Sequence, residues 1–202
     1  MSSIADFVSG YSYKGAELVD SDIAMATIKN FDRNGGFKLD GYKEIKPSPK
    51  LKSGQHAELF DTLVAHTDLT QNAEVIGNAE PILSFAGYRD IIFSMDVVKV
   101  VPKSGVSKFL LAALLQDGRF KNHALGYING TTVLHLSKKA LPEFELPLPN
   151  DLKVLSPLAN LVEVMYRQMA VNIDESRKLA NLRDSLLPKL MSGELDASSL
   201  DI

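Results

Sequence analysis

Short apolar runs of strand length recur through the first 150 residues of the chain. They are rich in β-branched residues and are bounded by turn-forming pairs such as Asn129-Gly130, a pattern typical of strands separated by tight turns. Asn34-Gly35-Gly36 predicts a further hairpin or loop, because these residues tolerate positive φ. The predicted strands are 24–28, 62–66, 91–95, 97–101 and 131–136.

Helical patterns follow the fourth of these strands. The stretch 107–116, SKFLLAALLQ, is predicted to be a helix, with Ser107 as its N-cap and Gly118 just beyond its end. A second helix is predicted at 118–125. Strands and helices together predict a mixed α/β domain over residues 1–150.

The chain changes character at 147–157, where PLPNDLKVLSP forms a proline-punctuated connector. Ser156 then offers an N-cap and Pro157 a first-turn residue, and no Gly or Pro follows until after Leu187. Those 31 residues predict a helix of roughly 46 Å. Residues 151–202 are therefore predicted to be a long helix with a short tail.

Apolar residues on this helix repeat at alternating steps of three and four. Eight of the eleven positions reached from Leu155 are apolar, and Asn172, Ser176 and Arg183 interrupt them as register-setting positions. The alternative is an amphipathic helix that lies back on its own domain. The narrow stripe favours a coiled coil, so the predicted fold class is α+β, with a mixed α/β domain followed by a long coiled-coil helix. The predicted interface is Leu158, Val162, Met165, Met169, Asn172, Leu179, Arg183 and Leu186.

Composition excludes several classes of protein. No run of eighteen apolar residues is present, so a transmembrane span is not expected. The N-terminal sequence lacks the basic and apolar regions of a signal peptide, and the absence of cysteine excludes disulfides and thiolate metal sites. We therefore expect no bound metal and a cytoplasmic location.

Charge is distributed unevenly although its total is only −3. Residues 29–52 carry seven Lys/Arg against three acids, and residues 99–139 carry seven against one, whereas 53–98 hold one Arg against seven acids. If the two basic segments meet in space, they form a positive face on a mildly acidic protein. The alternative is that they are ordinary solvated lysines.

Motifs for catalysis are missing from the sequence. It contains neither a P-loop ending in Lys-Ser/Thr, nor G-x-G-x-x-G after a strand, nor G-x-S-x-G, nor H-E-x-x-H, and its four histidines are scattered. We therefore expect a protein that is not an enzyme and that binds no cofactor of its own.

Four stretches, taken in order, resemble one known family. They are SGYSYKGAELVDSDIAMATIKNFDRNGGF (9–37), LVAHTDLTQNAEVIGN (63–78), GTTVLHLSKKALPEFELPLP (130–149) and LRDSLLPKLMSGEL (182–195). Together they resemble the DNA-specificity (S) subunits of Type I restriction–modification systems. The resemblance covers essentially the whole chain but only one target-recognition domain and one helical region, so it implies a half-length form. The strand that usually precedes the Ser-Gly-Tyr stretch is expected to be short or missing.

The resemblance implies a non-catalytic subunit that reads one half of a bipartite site in double-stranded DNA. Its implied partners are a methyltransferase subunit, which supplies the S-adenosylmethionine site, a restriction subunit with an ATP-driven motor, and a second copy bound through the long helix. The alternative function is an interaction or decoy module that binds the methyltransferase but no DNA.

Lysines are the natural contacts for phosphates, and polar loop side chains are natural readers of base edges. The candidate phosphate contacts are Lys14, Lys29, Lys38 and Lys121. The candidate base-reading residues are Asn30, Arg33, Asn34, His66, Thr67, Asp68, Arg89, Tyr127 and Asn129. Each of these residues has an alternative role in an ordinary turn, and Asn34 before Gly35 has one in left-handed geometry.

Overall fold

The computed structural model describes residues 1–195. Most strands precede the first helix, and two short strands lie between the second and the third helix. The last seven residues of the predicted C-terminal tail lie outside the described part. The strands are β1 (Ala5–Ser9), β2 (Ile23–Ala26), β3 (Lys43–Glu44), β4 (His56–Ala57), β5 (Thr62–Ala65), β6 (Thr67–Asp68), β7 (Ala79–Pro81), β8 (Asp90–Phe93), β9 (Val97–Pro102), β10 (Ile128–Asn129) and β11 (Leu134–Leu136). The helices are α1 (Lys108–Gln116), α2 (Gly118–Leu125), α3 (Ala140–Glu143) and α4 (Ser156–Met191).

Strand β5 lies at the centre of the packing. It belongs to an antiparallel sheet of order β1-β9-β5-β7, and successive residues of a strand point to opposite faces. Val64 packs with Leu111 of α1 and Phe120 of α2 on one face, whereas Leu63 packs with Phe93 of the second sheet on the other. The result is three layers: helices, sheet, and a second sheet.

The second sheet has the order β3-β2-β8-β4, in which β2 and β8 are parallel. A small third sheet of order β10-β11-β6 begins directly after β5, because β6 continues the same stretch of chain.

Most of the predicted elements are present, with two local differences in this domain. A leading strand exists: β1 pairs along its length with β9, so the expectation that it is short or missing was wrong. Strand β11 starts at Leu134 rather than at 131, because Gly130 takes a φ of +104° and the chain first completes a turn. Ser107 caps α1 as expected by accepting a hydrogen bond from the Leu110 N–H.

Helix α4 is longer than the sequence predicted. It runs for 36 residues, or roughly 54 Å at about 1.5 Å per residue, and passes through Pro188 before Gly193 ends it with a φ of +74°. Proline is tolerated there because it removes a hydrogen bond only near the exposed end, where water replaces it. Ser156 is the first helical residue and not the cap.

The first half of α4 lies on its own domain. Ala159 and Tyr166 are buried, and Tyr166 stacks on Phe109 with ring centroids 6.4 Å apart. Asp174 accepts a 2.5 Å hydrogen bond from the Ser84 hydroxyl. The alternative of a helix lying back on its domain is thus correct for this half, while the residues after Arg177 are largely exposed.

Within residues 1–195, none of the helices has the length and apolar character needed to cross a bilayer.

Candidate nucleic-acid interface

The loop after β2 is closed by a buried amide. Asn30 is fully buried; its Oδ1 accepts the Thr27 N–H at 2.8 Å, and its Nδ2 donates to the Lys38 carbonyl at 2.8 Å. Both hydrogen-bonding groups serve the loop, so the assignment of Asn30 as a base reader is replaced by a structural role. The same loop leaves Lys29 and Lys38 exposed.

A tight turn at 32–36 presents Arg33. The Asp32 N–H donates to the Gly36 carbonyl at 3.0 Å, and the Asn34 N–H donates to Asp32 Oδ1 at 2.9 Å. Gly35 and Gly36 have φ values of +91° and +102°, which a side chain would strain. The predicted turn is therefore present, and Arg33 and Asn34 are exposed at its tip.

The segment after β6 is folded around two charged groups that were predicted to contact DNA. Asp68 is buried, and its carboxylate accepts the N–H groups of Thr70 and Val75 at 2.8 and 2.7 Å. Burial alone would raise the pKa of Asp68, but these hydrogen bonds outweigh it and lower the pKa. Asp68 is therefore assigned to turn formation rather than to base reading.

Lys121, which belongs to α2, binds the C-terminal part of the segment that follows β6. Its Nζ lies 3.0, 3.1 and 2.5 Å from the carbonyl oxygens of Ala73, Glu74 and Ile76, and 2.9 Å from Oδ1 of Asn78. An ammonium group has three protons to donate, so these oxygens occupy it fully. The phosphate contact predicted for Lys121 is replaced by a structural role.

The two segments face each other across an open cleft of about 350 Å³, which we call the loop cleft. Arg33 bridges it, because its Nε lies 3.0 Å from Oε2 of Glu74 on the opposite wall. The Arg33 side chain nevertheless remains 66% exposed. The charged residues lining the cleft are Lys29, Arg33 and Lys38 against Asp40, Asp68 and Glu74.

The two basic segments, 29–52 and 99–139, do not combine into a concentrated positive face at the loop cleft. The lining of the loop cleft balances three cations with three carboxylates, and three of the seven cations of segment 99–139 form ion pairs within the domain. These pairs are Lys99 with Asp61 at 3.3 Å, Lys103 with Asp6 at 3.7 Å, and Arg119 with Asp117 at 3.0 Å. Lys108 and Lys121 donate to backbone carbonyl oxygens, so this segment matches neither a shared positive face nor the alternative of ordinary solvated lysines.

A second group of candidates lies on the small sheet. Pairing places Asn129 beside His135 and His135 beside Thr67, so the three residues form one row across three strands. His66 lies at the start of this sheet, where burial, and then the nearby Lys138 and His135, lower its pKa to about 4. Its imidazole is neutral at neutral pH.

Three further candidates lie outside the loop cleft. The Tyr127 hydroxyl donates to Glu143 at 2.7 Å, which turns it toward α3. Arg89 pairs with Asp22 at 2.5 Å. Because Asp22 and Arg89 precede the parallel strands β2 and β8, they lie at the opposite end of the sheet from Arg33. Lys14 is exposed, and its backbone N–H donates to Glu17 at 2.6 Å.

Helix α4 carries an exposed apolar stripe beside the face that touches the domain. Leu158, Met165, Met169, Leu179 and Leu186 are 36–59% exposed. Val162, in contrast, packs against Tyr166 and the Phe60–Phe109 pair, so it belongs to the contact with the domain. Asn172 accepts a hydrogen bond from Gln168, and Arg183 pairs with Asp184, both on the exposed surface.

Two solved structures share this arrangement of domain and helix. A crystal structure of the S subunit of a Type I restriction–modification system from M. genitalium matches with a TM-score of 0.63 at 14% identity, over 94% of this chain and 44% of that one. The chain has the fold of a Type I specificity subunit. A structure described as the basis of complex assembly and conformational transition of the Type I R-M system matches with a TM-score of 0.51 at 14% identity, over 93% and 43%.

The S-subunit fold confirms the predicted α+β class, in which a mixed α/β domain is followed by a long helix. The chain spans less than half the length of the solved chains that it matches. No family model and no curated protein matches its sequence. The likeness at 14% identity therefore concerns the fold, and the functions of individual residues rest on the geometry described above.

Sequence reasoning missed the residues that support the Arg33 turn. Glu80 is buried, and its Oε1 accepts the Gly36 N–H at 2.7 Å. Burial raises the pKa of Glu80, although hydrogen bonds from Gly36 and Gln116 act against this. A carboxylate set within the apolar stretch around Pro81 and Ile82 was the available signal.

Proposed function

We propose that the chain is a DNA sequence-recognition subunit of a Type I restriction–modification complex and reads one half of a bipartite target. The observation that carries this proposal is an exposed guanidinium, Arg33, on a rigid turn of a domain with the S-subunit fold. Arginine makes two hydrogen bonds to guanine in the major groove, and such a pair discriminates by about 1–3 kcal/mol.

The remaining candidates complete the proposed interface, except that Thr67 is buried and its hydroxyl lies 3.4 Å from Nδ1 of His135. Lys29 and Lys38 flank Arg33 and are suited to contact phosphates, which position a protein on DNA without carrying sequence information. Asn34 lies at the same turn. On the small sheet, the exposed Asn129 and His135 offer a second set of hydrogen-bonding groups, with Thr67 buried beside them.

The apolar stripe on α4 supports self-association as the second part of the proposal. Two copies that pair their helices antiparallel place one recognition domain at each end, and a symmetric pair reads a palindromic split site. Half-sites one helical turn apart lie about 34–36 Å from centre to centre on B-DNA, and a helix of roughly 54 Å spans that distance.

In this proposal the chain is non-catalytic and acts in the cytoplasm. A methyltransferase subunit supplies the S-adenosylmethionine site, and a restriction subunit supplies the ATP-driven motor. The chain positions both on the DNA and binds neither cofactor. Base flipping for methylation takes place in the methyltransferase subunit.

Mapping of methylated bases tests the proposed role directly. DNA modified by the chain together with its methyltransferase subunit should carry methyl groups at one palindromic split motif. Duplex binding by the assembled complex should also weaken steeply between 50 and 200 mM salt, as expected for phosphate contacts. Unmodified DNA together with salt-independent binding would reject the proposal.

Light scattering tests the proposed pairing of helices. Leu179→Glu places a charge in the exposed stripe and should convert a dimer to a monomer. Val171→Glu is the matched control, because Val171 is equally exposed, at 58%, but lies off the stripe. A monomeric wild-type chain, or equal dissociation of both variants, would contradict pairing through this stripe.

The second candidate function is a module that binds the methyltransferase subunit but no DNA. The balanced charges of the loop cleft favour it, because a DNA-binding surface ordinarily has an excess of cations. A pull-down with the methyltransferase subunit followed by a gel shift separates the two functions. Capture without any shift would support the second one.

A further inference from the structure

A chain of hydrogen bonds connects the Arg33 turn with helix α4. The Gly36 N–H donates to Glu80 Oε1 at 2.7 Å, and the other carboxylate oxygen accepts from Gln116 Nε2 at 2.8 Å. The Tyr166 hydroxyl then donates to Gln116 Oε1. The chain thus runs from the tip of the turn, through β7 and the end of α1, to the anchoring residue of α4.

The direction of every bond in this chain is fixed by Glu80. An ionised carboxylate only accepts hydrogen bonds, so Gln116 must turn its amide NH₂ group toward Glu80. Its carbonyl oxygen then faces Tyr166, which must donate. Burial, and then the nearby Glu80, raise the pKa of Tyr166 to about 12, so the hydroxyl keeps the proton that it donates.

The turn depends on this support because it has few alternatives. Gly36 has a φ of +102°, and its N–H points into the domain rather than to solvent. Asn78 supplies one further tie by donating to the Asp32 carbonyl at 3.0 Å. Loss of the contact between Gly36 and Glu80 therefore leaves one oxygen of a buried carboxylate without a partner and frees one side of the turn.

We propose that Glu80, Gln116 and Tyr166 are positioning residues that couple the placement of Arg33 to the seating of α4. This proposal rests on the proposed function, in which Arg33 reads a base. Bidentate contacts to guanine require a precisely held side chain, and a turn that is too loose by about 1 Å loses discrimination before it loses affinity. Contact energy with phosphates is not expected to change.

Selection from a random duplex library tests this coupling. The full chain, assembled with the methyltransferase subunit, is used to enrich bound sequences, and the preference at each base pair is measured. Tyr166→Phe keeps the stacked ring but removes the hydroxyl. It should reduce the preference about tenfold at one base pair, the same one that Arg33→Ala affects, and leave the other positions unchanged.

Three further variants separate positioning from a general loss of stability. Tyr11→Phe is the control, because its buried hydroxyl donates to Glu17 outside this chain of bonds, and it should keep the full motif. Gln116→Ala acts at an exposed residue, so the protein should fold normally and still lose the preference. Glu80→Gln should keep the preference, because Gln116 and Tyr166 can reverse their donor and acceptor roles to match an amide.

The outcomes distinguish this inference from the proposed function. Failure of the wild-type complex to enrich any motif would refute the proposed function and the coupling with it. A wild-type motif that survives in Tyr166→Phe and Gln116→Ala would refute the coupling alone. A loss of preference in these variants at a base pair other than the one affected by Arg33→Ala would also refute the coupling.

Discussion

Replacing Lys121 by methionine tests whether its ammonium serves the fold or the DNA. The ammonium binds three backbone carbonyl oxygens and the Asn78 side chain, at 2.5–3.1 Å, and so holds the segment that forms one wall of the loop cleft. Methionine keeps the aliphatic length of the side chain but donates no hydrogen bond. The substitution therefore isolates the contribution of the charged group.

The expected loss of stability follows from these contacts. A hydrogen bond from a charged group contributes about 1.5–3 kcal/mol, and an acceptor left unsatisfied costs about 1–3 kcal/mol. Burial lowers the pKa of Lys121, which shows that desolvation already offsets part of this gain, and water reaches a half-buried site. We expect the free energy of unfolding to fall by about 3 kcal/mol, or Tm by about 6–12 °C in a chain of this length.

Urea denaturation followed by circular dichroism measures this difference, with Lys139→Met as the control because Lys139 is exposed. The control should unfold like the wild type. If Lys121→Met instead kept wild-type stability while the assembled complex bound DNA more weakly and with a smaller salt dependence, Lys121 would be a phosphate contact and the structural role would be wrong.

Three further predictions concern single sites. Burial lowers the pKa of His66 to about 4, so between pH 6.5 and 4 the imidazole is protonated in the unfolded chain but not in the native one. The free energy of unfolding should therefore fall by up to about 3 kcal/mol as pH decreases from 6.5 to 4. In urea melts at several pH values, His66→Asn should remove this contribution. Gly77→Ala places a Cβ 2.9 Å from that of Ala124 at a φ of +78° and should cost about 1–3 kcal/mol in thermal unfolding; an unchanged Tm would contradict this. Asp174→Ala removes the bond from Ser84 and should cost about 1 kcal/mol and accelerate hydrogen exchange in the middle of α4, while unchanged exchange would show that this bond does not hold the helix.

Local patterns were sufficient to predict the longer elements. The strand at β9 and helix α1 with its Ser107 cap depend on residues within one segment, so composition and periodicity reveal them. Strands β4 and β6, of two residues each, exist because a distant partner offers hydrogen bonds, and their own sequences carry no such information. The continuation of α4 through Pro188 depends on its exposed position near the helix end.

The candidate site was harder to predict, because the same residue types build turns and read bases. Asn30 and Asp68 have the short polar side chains that suit both tasks, and only their burial shows which one they perform. The partners of Lys121 lie 43–48 residues away, so no local signal distinguishes it from an exposed lysine. The exposure of Arg33 could be predicted, because the Asn and Gly residues beside it signal a surface turn, whereas its role as a base reader stays a prediction.

Consecutive residues of α4 belong to two different faces of the helix, one exposed and one packed against the domain. Leu158 precedes the buried Ala159 and Met165 precedes Tyr166, and one residue rotates the helix by about 100°. Mutations in the exposed apolar stripe, which includes Leu158, Met165 and Leu179, therefore leave the face that contacts the domain intact. The residues of this stripe can thus be exchanged, and with them the surface that α4 presents, while the domain keeps its attachment to the helix and its orientation.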